Sequence, residues 1–146
     1  MTDAGSGGAT PELAAALRLA VLRAARRIRS QRVNTAFTLS QLSALAAVEK
    51  CGPLSAGELA AIERVQPPSM TKILASLEHD GWVERSPHPD DRRQSIITIT
   101  EAGRALLEAE VQARNTWLGQ RLTEFTPAEL KILSDAVAVL DRLGSE

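Results

Sequence analysis

The sequence predicts a mainly α-helical protein that carries one small β-hairpin. Signals for helix starts recur along the 146 residues, and each is followed by apolar residues at helical spacing. In one region the period of the apolar residues changes to that of β-strands, on both sides of a polar stretch. With 44% hydrophobic residues the chain can build a core, although only 3% of its residues are aromatic.

Each predicted helix begins at a recognisable capping residue. Thr10 precedes Pro11, and proline suits the first turn of a helix. In a capping box, a hydroxyl residue and a Glu or Gln three positions later satisfy each other's free backbone N–H groups. Such boxes open helices at 38–41, 55–58 and 126–129, Gln66 with two prolines opens another, and Thr100 caps a long one.

Two short segments have the composition of β-strands. Residues 82–85 and 95–100 are rich in β-branched or aromatic side chains. The stretch between them, 86–94, is polar and is interrupted by prolines. We therefore expect a β-hairpin with a long charged tip.

The order of these elements is that of a winged helix-turn-helix with additional helices at both ends. A short helix from Ser55 and a second helix from Pro67 are separated by a short turn, and the hairpin, or wing, follows them. The sequence thus predicts a winged helix-turn-helix over about 38–100, flanked by helices over about 11–32 and 101–144. Long amphipathic helices outside a complete winged helix favour a dimer interface over a core. Residues 1–10 are small, polar and rich in glycine, which predicts a disordered leader.

Composition and motifs exclude several classes of protein. The chain has no run of eighteen apolar residues, so no membrane span is predicted. Its single cysteine, Cys51, excludes a disulfide framework and fits the reducing cytoplasm. His79 and His88 have no cysteine or carboxylate cluster at ligand spacing, and we find no catalytic triad, P-loop or dinucleotide motif. We therefore expect no enzyme, no metal site and no other cofactor.

The placement of charge matters more than its sum. A formal net charge of −1 is a weak argument against nucleic acid, because a basic face is sufficient for binding. One early segment is crowded with arginines, which we interpret as a solvated helix face, with contact to phosphates or an anionic ligand as the alternative. These are Arg18, Arg23, Arg26, Arg27, Arg29 and Arg32.

The helix that begins at Pro67 fits the recognition helix, which lies in the DNA major groove with its N-terminal turn against the bases. If its large apolar residues face the core, the opposite face carries small and hydroxyl side chains and one lysine. Small side chains permit close approach, hydroxyls reach phosphates or base edges, and a lysine reaches a phosphate or a guanine. The candidate DNA-binding residues of the helix-turn-helix are Ser55 at the start of the preceding short helix, Gln66 just before Pro67, and Pro68, Ser69, Thr71, Lys72 and Ser76 on this helix. An ordinary solvated helix face is the alternative.

The predicted wing tip carries Arg92 and Arg93. An arginine on a protruding β-ribbon can enter a minor groove. Asp91 precedes them, and its carboxylate can hold a neighbouring guanidinium in a bidentate pair and so fix its direction. We therefore add Asp91, Arg92 and Arg93 to the candidate DNA-binding residues, with a solvated charged turn as the alternative.

Together these segments resemble the multiple-antibiotic-resistance regulator (MarR) family. The resemblance extends from about residue 13 to the C-terminus, and its strongest part is the Asp-x-Arg sequence of the wing, at the expected distance from the recognition helix. The matching segments are LSAGELA at 54–60, PPSMTK at 67–72, LEHDGWVER at 77–85, PDDRR at 89–93 and ITEAG at 99–103.

The resemblance implies a homodimer that binds a pseudo-palindromic site in double-stranded DNA. Many members of the family are repressors that small aromatic or phenolic ligands release from DNA, and the ligands bind between the dimerisation helices and the DNA-binding lobe. The resemblance does not say which residues of this chain bind such an effector. The competing hypothesis is a winged helix that binds another protein and has no DNA target.

Overall fold

The computed structural model describes residues 8–145 and contains six α-helices and three β-strands in that range. Their order is α1 (Pro11–Arg29), α2 (Leu39–Cys51), β1 (Leu54–Ser55), α3 (Ala56–Glu63), α4 (Pro67–His79), β2 (Val83–Pro87), β3 (Ser95–Ile99), α5 (Glu101–Leu122) and α6 (Pro127–Gly144). The predicted class, mainly helical with one hairpin, is confirmed. The first seven residues of the predicted leader lie outside the described range.

The helices begin where the capping signals predict. Thr38, Ser55 and Thr126 each form a complete capping box with the residue three positions later. At α6 the backbone N–H of Thr126 donates to the carboxylate of Glu129, and this bond holds the pKa of that carboxyl below its usual value. Local sequence therefore decides the starts of these helices.

The helices α2, α3 and α4 pack with the sheet around one apolar core. The α4 residues Met70, Leu74 and Leu77 are buried in it, as the sequence predicts. Phe37 is also buried and meets Trp82 edge to face, with the ring centroids 5.5 Å apart and the planes at 71°. The apolar face of α4, the predicted recognition helix, is thus packed against α2, α3 and the sheet.

The sheet differs from the predicted two-stranded hairpin. It has three antiparallel strands in the order β1-β3-β2, and the two residues of β1 pair with β3. The first hairpin strand also continues to Pro87, which was predicted to lie in the tip. Proline is tolerated there because β2 is an edge strand, whose outward side has no ladder to complete.

A close contact attaches the hairpin to the start of α5. The Thr100 hydroxyl donates to the Gly81 carbonyl at 2.7 Å and accepts the Gly103 N–H at 3.0 Å. A Cβ on Gly103 would collide with the carbonyl oxygen of Trp82 and with the Ile99 side chain. Glycine at 103 therefore permits backbone contact between α5 and the base of the wing.

Arg32 corrects the interpretation of the early arginines as one solvated face. It follows the end of α1, and its side chain is only 12% exposed. Its guanidinium faces the carboxylate of Glu110 and donates to the carbonyl oxygens of Asn34 and Phe37. Sequence spacing cannot reveal this position, because the partner carboxylate comes from α5.

The described residues form two units. One comprises 32–113, with α2–α4, the sheet and the first part of α5; the other comprises 8–31 and 114–145. In the second unit neither α1 nor α6 has a buried residue. Large apolar side chains are exposed along both helices, among them Leu13, Leu17, Val21, Leu130, Leu133, Val137 and Leu140. Within residues 8–145, no helix combines the length and hydropathy needed to cross a membrane.

Candidate nucleic-acid interface

The outer face of α4 is exposed at most of the positions that the sequence proposes. Pro68, Ser69, Thr71 and Lys72 are all exposed, as is Gln66 just before the helix. Their side chains leave a shallow surface with one cation. Such a face can lie close to a polyanion without steric obstruction.

The first turn of α4 offers DNA no free backbone amide. Pro67 and Pro68 lack an N–H, and the N–H groups of Ser69 and Met70 both donate to the Gln66 carbonyl, at 2.9 and 3.1 Å. The direct amide contacts that many helix N-termini make with phosphate are therefore absent from this turn. Any hydrogen bond from this turn to a ligand would therefore come from a side chain.

The two hydroxyls of this turn differ in what they can do. Thr71 Oγ1 donates to the Pro67 carbonyl at 3.0 Å, so its proton is already used and it remains an acceptor. Ser69 makes no side-chain hydrogen bond to another described residue. A phosphate presents only acceptors, so Ser69 suits a phosphate, whereas Thr71 suits a base amino group in the major groove.

Ser76 and Ser55 have partners inside the protein. The Ser76 hydroxyl accepts a hydrogen bond from the Gln41 amide at 2.8 Å, which joins α4 to α2. Ser55 is 6% exposed, and its hydroxyl caps α3 by accepting the Glu58 N–H at 3.1 Å. Both serines therefore make hydrogen bonds within the helix-turn-helix.

Asp91 holds the wing in a different way from the predicted guanidinium pair. Its Oδ1 accepts the backbone N–H of Arg93 at 3.0 Å. Among the ion pairs of the described residues, none includes Asp91. The carboxylate therefore shapes the backbone that carries the arginine, and the guanidinium remains available.

Both wing arginines are exposed, and Arg93 lies beside the start of α3. With Ser55, Glu58 and Arg85 it lines a surface cleft of about 580 Å³. The structure thus brings Arg93 near the capped end of α3, while the α4 residues do not line this cleft. The candidate interface therefore has two parts, the outer face of α4 and the wing.

An ion pair that the sequence analysis missed joins the wing to the recognition helix. Arg85 Nε on β2 lies 2.8 Å from Glu78 Oε2 near the end of α4. Both side chains are partly exposed, so the pair adds little stability, but it holds the Arg85 guanidinium against the end of α4. In the sequence, the only indication of this pair was that its two residues have opposite charges and flank the turn at Gly81.

A groove lies between α2 and the first part of α5, away from the recognition helix. It has a volume of about 440 Å³, and apolar side chains form much of its wall. Glu49 and Arg104 are paired across it at 3.0 Å. The lining residues are Ala46, Glu49, Lys50, Arg104, Leu107, Glu108, Val111 and Gln112.

A winged helix-turn-helix with an exposed recognition helix and an arginine-tipped wing defines a class, the DNA-binding transcriptional regulators. The MarR family model matches residues 37–95, which include the recognition helix and the wing. The chain is also 42% identical over 134 residues to an HTH-type transcriptional regulator from Mycobacterium bovis, covering 92% of this chain and 94% of that one. The chain belongs to the MarR family.

Other relatives agree with this assignment. The multiple antibiotic resistance protein MarR of Escherichia coli is 30% identical over 107 residues, or 73% of this chain and 70% of that protein. The crystal structure of a transcriptional regulator from Pseudomonas aeruginosa superposes with a TM-score of 0.83 at 28% identity. That match covers 92% of this chain and 95% of the other.

Proposed function

We propose that this chain is a homodimeric repressor that binds a pseudo-palindromic operator in the cytoplasm. The observation that carries the proposal is the exposure of Lys72 and Arg93, one on each part of the interface. Two copies related by a two-fold axis present two such interfaces to two half-sites. A dimer bound to promoter DNA represses transcription by excluding RNA polymerase from the same DNA.

Each part of the interface has a separate role in this proposal. Lys72 and Thr71 enter the major groove, where Lys72 binds a guanine or a phosphate and Thr71 accepts from a base amino group. Arg93 enters the flanking minor groove, and a narrow A·T-rich groove favours it through its negative potential. The helix reads sequence, and the wing reads shape.

The exposed apolar residues of α1 and α6 support the dimer. An amphipathic helix whose apolar stripe is uncovered in one subunit needs a partner surface. A second copy of the chain offers the same stripe, as a two-fold interface requires. We therefore assign dimerisation to α1, α6 and the second part of α5.

We further propose that a small aromatic acid regulates DNA binding through the groove between α2 and α5. Its volume lies within the range of small-molecule sites. Lys50 lines the groove and has no carboxylate partner among the described residues, whereas Arg104 is held by Glu49. An aromatic ring would pack on the apolar wall while its carboxylate pairs with Lys50.

Benzoate tests this regulatory site. It should weaken DNA binding by the wild type more than DNA binding by Lys50→Ala, while phenol, which has no carboxylate, should affect the two proteins alike. Equal responses to benzoate would remove Lys50 from the site.

Selection from a pool of random-sequence DNA duplexes tests the central proposal. The wild-type protein should enrich an inverted repeat with half-sites about 10 base pairs apart, centre to centre. Its affinity should fall steeply as salt rises, because each phosphate contact releases counterions. Failure to enrich any duplex, together with salt-independent capture of a protein partner, would favour the protein-interaction module instead.

A further inference from the structure

His88 occupies an unusual position at the tip of the wing. It is half-buried, although Pro87, Pro89 and Asp90 beside it are exposed. Its imidazole Nδ1 accepts two backbone N–H groups, from Asp90 at 3.1 Å and from Asp91 at 3.2 Å. Pro89 has no N–H, so these are the first two donors that the chain offers after His88.

Further hydrogen bonds connect this ring to the DNA-binding arginine. The backbone N–H of His88 donates to the Gln94 carbonyl, and the N–H of Gln94 donates to the Asp91 carbonyl, both at 3.1 Å. The Asp91 carboxylate then accepts the Arg93 N–H at 3.0 Å. The imidazole thus fixes the peptide that carries Asp91, and Asp91 fixes the peptide that carries Arg93.

We propose that His88 is a positioning residue for DNA binding, acting through the backbone of the wing on Arg93. This inference rests on the proposed function, because it assumes that Arg93 contacts DNA. Accepting two N–H groups requires an Nδ1 without a proton, so the Nδ1 lone pair is the feature of the ring that holds the two peptides. His88 itself makes no base contact in this account. Because His88 already restricts the wing in the free protein, Arg93 loses less conformational entropy when it binds DNA.

The geometry distinguishes three substitutions. Asparagine places Oδ1 at the same number of bonds from the backbone as Nδ1 of histidine, and this oxygen can accept both N–H groups. Glutamine places its acceptor one bond further out, and alanine has none. His88→Asn should therefore retain the ordered tip, whereas His88→Gln and His88→Ala should lose it.

The first experiment measures order in the free protein. Amide hydrogen exchange at Asp90 and Asp91 should be faster in His88→Ala than in the wild type and in His88→Asn. Exchange that is unchanged by His88→Ala would overturn the proposal. This readout does not require DNA, so it stays informative even where the proposed function fails.

The second experiment measures affinity for the duplex that the wild type selects from the random pool. His88→Ala and His88→Gln should bind it about tenfold more weakly, and His88→Asn within about threefold of the wild type. In an Arg93→Ala background, His88→Ala should have no further effect, because the path to DNA is already removed. Equal weakness of the Asn and Ala variants, or an undiminished loss in the Arg93→Ala background, would overturn the proposal. No selected duplex at all would instead count against the proposed function.

Discussion

Arg32 Nε and Glu110 Oε2 lie 3.4 Å apart, and the Glu110 side chain is only 1% exposed. The other carboxylate oxygen of Glu110 accepts the Asn34 N–H at 3.2 Å, and the guanidinium donates to the Phe37 carbonyl at 2.7 Å. This pair therefore holds the connection between α1 and α2 against α5. Phe37 in turn supports Trp82 at the base of the wing.

Removal of either charge should destabilise the fold, because the other charge is left buried without its partner. Glu110→Ala should lower the free energy of unfolding by about 3–5 kcal/mol, measured by urea denaturation at fixed protein concentration. Glu124→Ala, which breaks an exposed pair with Arg121, should cost about 1 kcal/mol or less. Similar losses in the two variants would contradict the account of a buried pair.

Gly103→Ala should destabilise the protein at the junction between α5 and the wing. The added methyl group would meet the Trp82 carbonyl, so the helix must shift, at a cost of about 1–3 kcal/mol in unfolding free energy. Gly57→Ala in α3 is the control, since its methyl group would make only an ordinary contact, with Ser55 Oγ at 4.0 Å, and it should be neutral or stabilising. A neutral Gly103→Ala would show that the junction is loose.

Lys72→Ala should weaken binding to the selected duplex by about 1–3 kcal/mol. A panel of duplexes with single base changes separates its two possible roles. If Lys72 reads a base, the substitution relaxes selectivity at one position; if it binds phosphate, all duplexes weaken alike. Unchanged affinity across the panel would remove α4 from the interface.

Asp91→Ala should also weaken DNA binding, although it removes a negative charge. The backbone bond from Arg93 is lost, and the arginine is no longer presented in one direction. Asp91→Asn should restore much of the affinity, because an amide oxygen still accepts that N–H. Asp90→Ala removes the same charge without removing this bond, so it should bind as tightly as the wild type or more tightly. If Asp91→Ala binds more tightly as well, the wing acts by charge alone.

Arg93→Ala should lower affinity and leave the dimer intact. If the guanidinium meets the DNA backbone, the salt dependence of binding should decrease by about one phosphate equivalent per wing.

Light scattering at micromolar concentration should give twice the chain mass both for Arg93→Ala and for the wild type. Val137→Glu in the apolar stripe of α6 should reduce that mass, whereas Arg142→Glu on the opposite side of the helix should not; a folded wild-type monomer would contradict the dimer.

The sequence by itself determined the local features of this protein. Helix starts depend on neighbours three positions apart, and strand and helix periods depend on a few consecutive residues, so capping boxes and apolar spacing predicted six helices and the hairpin. The exposed face of α4 followed from the same periodicity. The MarR resemblance, carried by the same segments, was also available from sequence.

Only the tertiary structure decided which side chains are already engaged. Arg32 was predicted to lie on a solvated face, but α5 places Glu110 against it. Ser76 was predicted to bind DNA, and α2 places the Gln41 amide within hydrogen-bond distance of its hydroxyl. Asp91 and His88 bind backbone amides whose direction depends on the closed hairpin. The contacts of Arg32 and Ser76 join segments remote in sequence, and those of Asp91 and His88 join nearby peptides whose orientation the hairpin sets, so packing decides the distances in both cases.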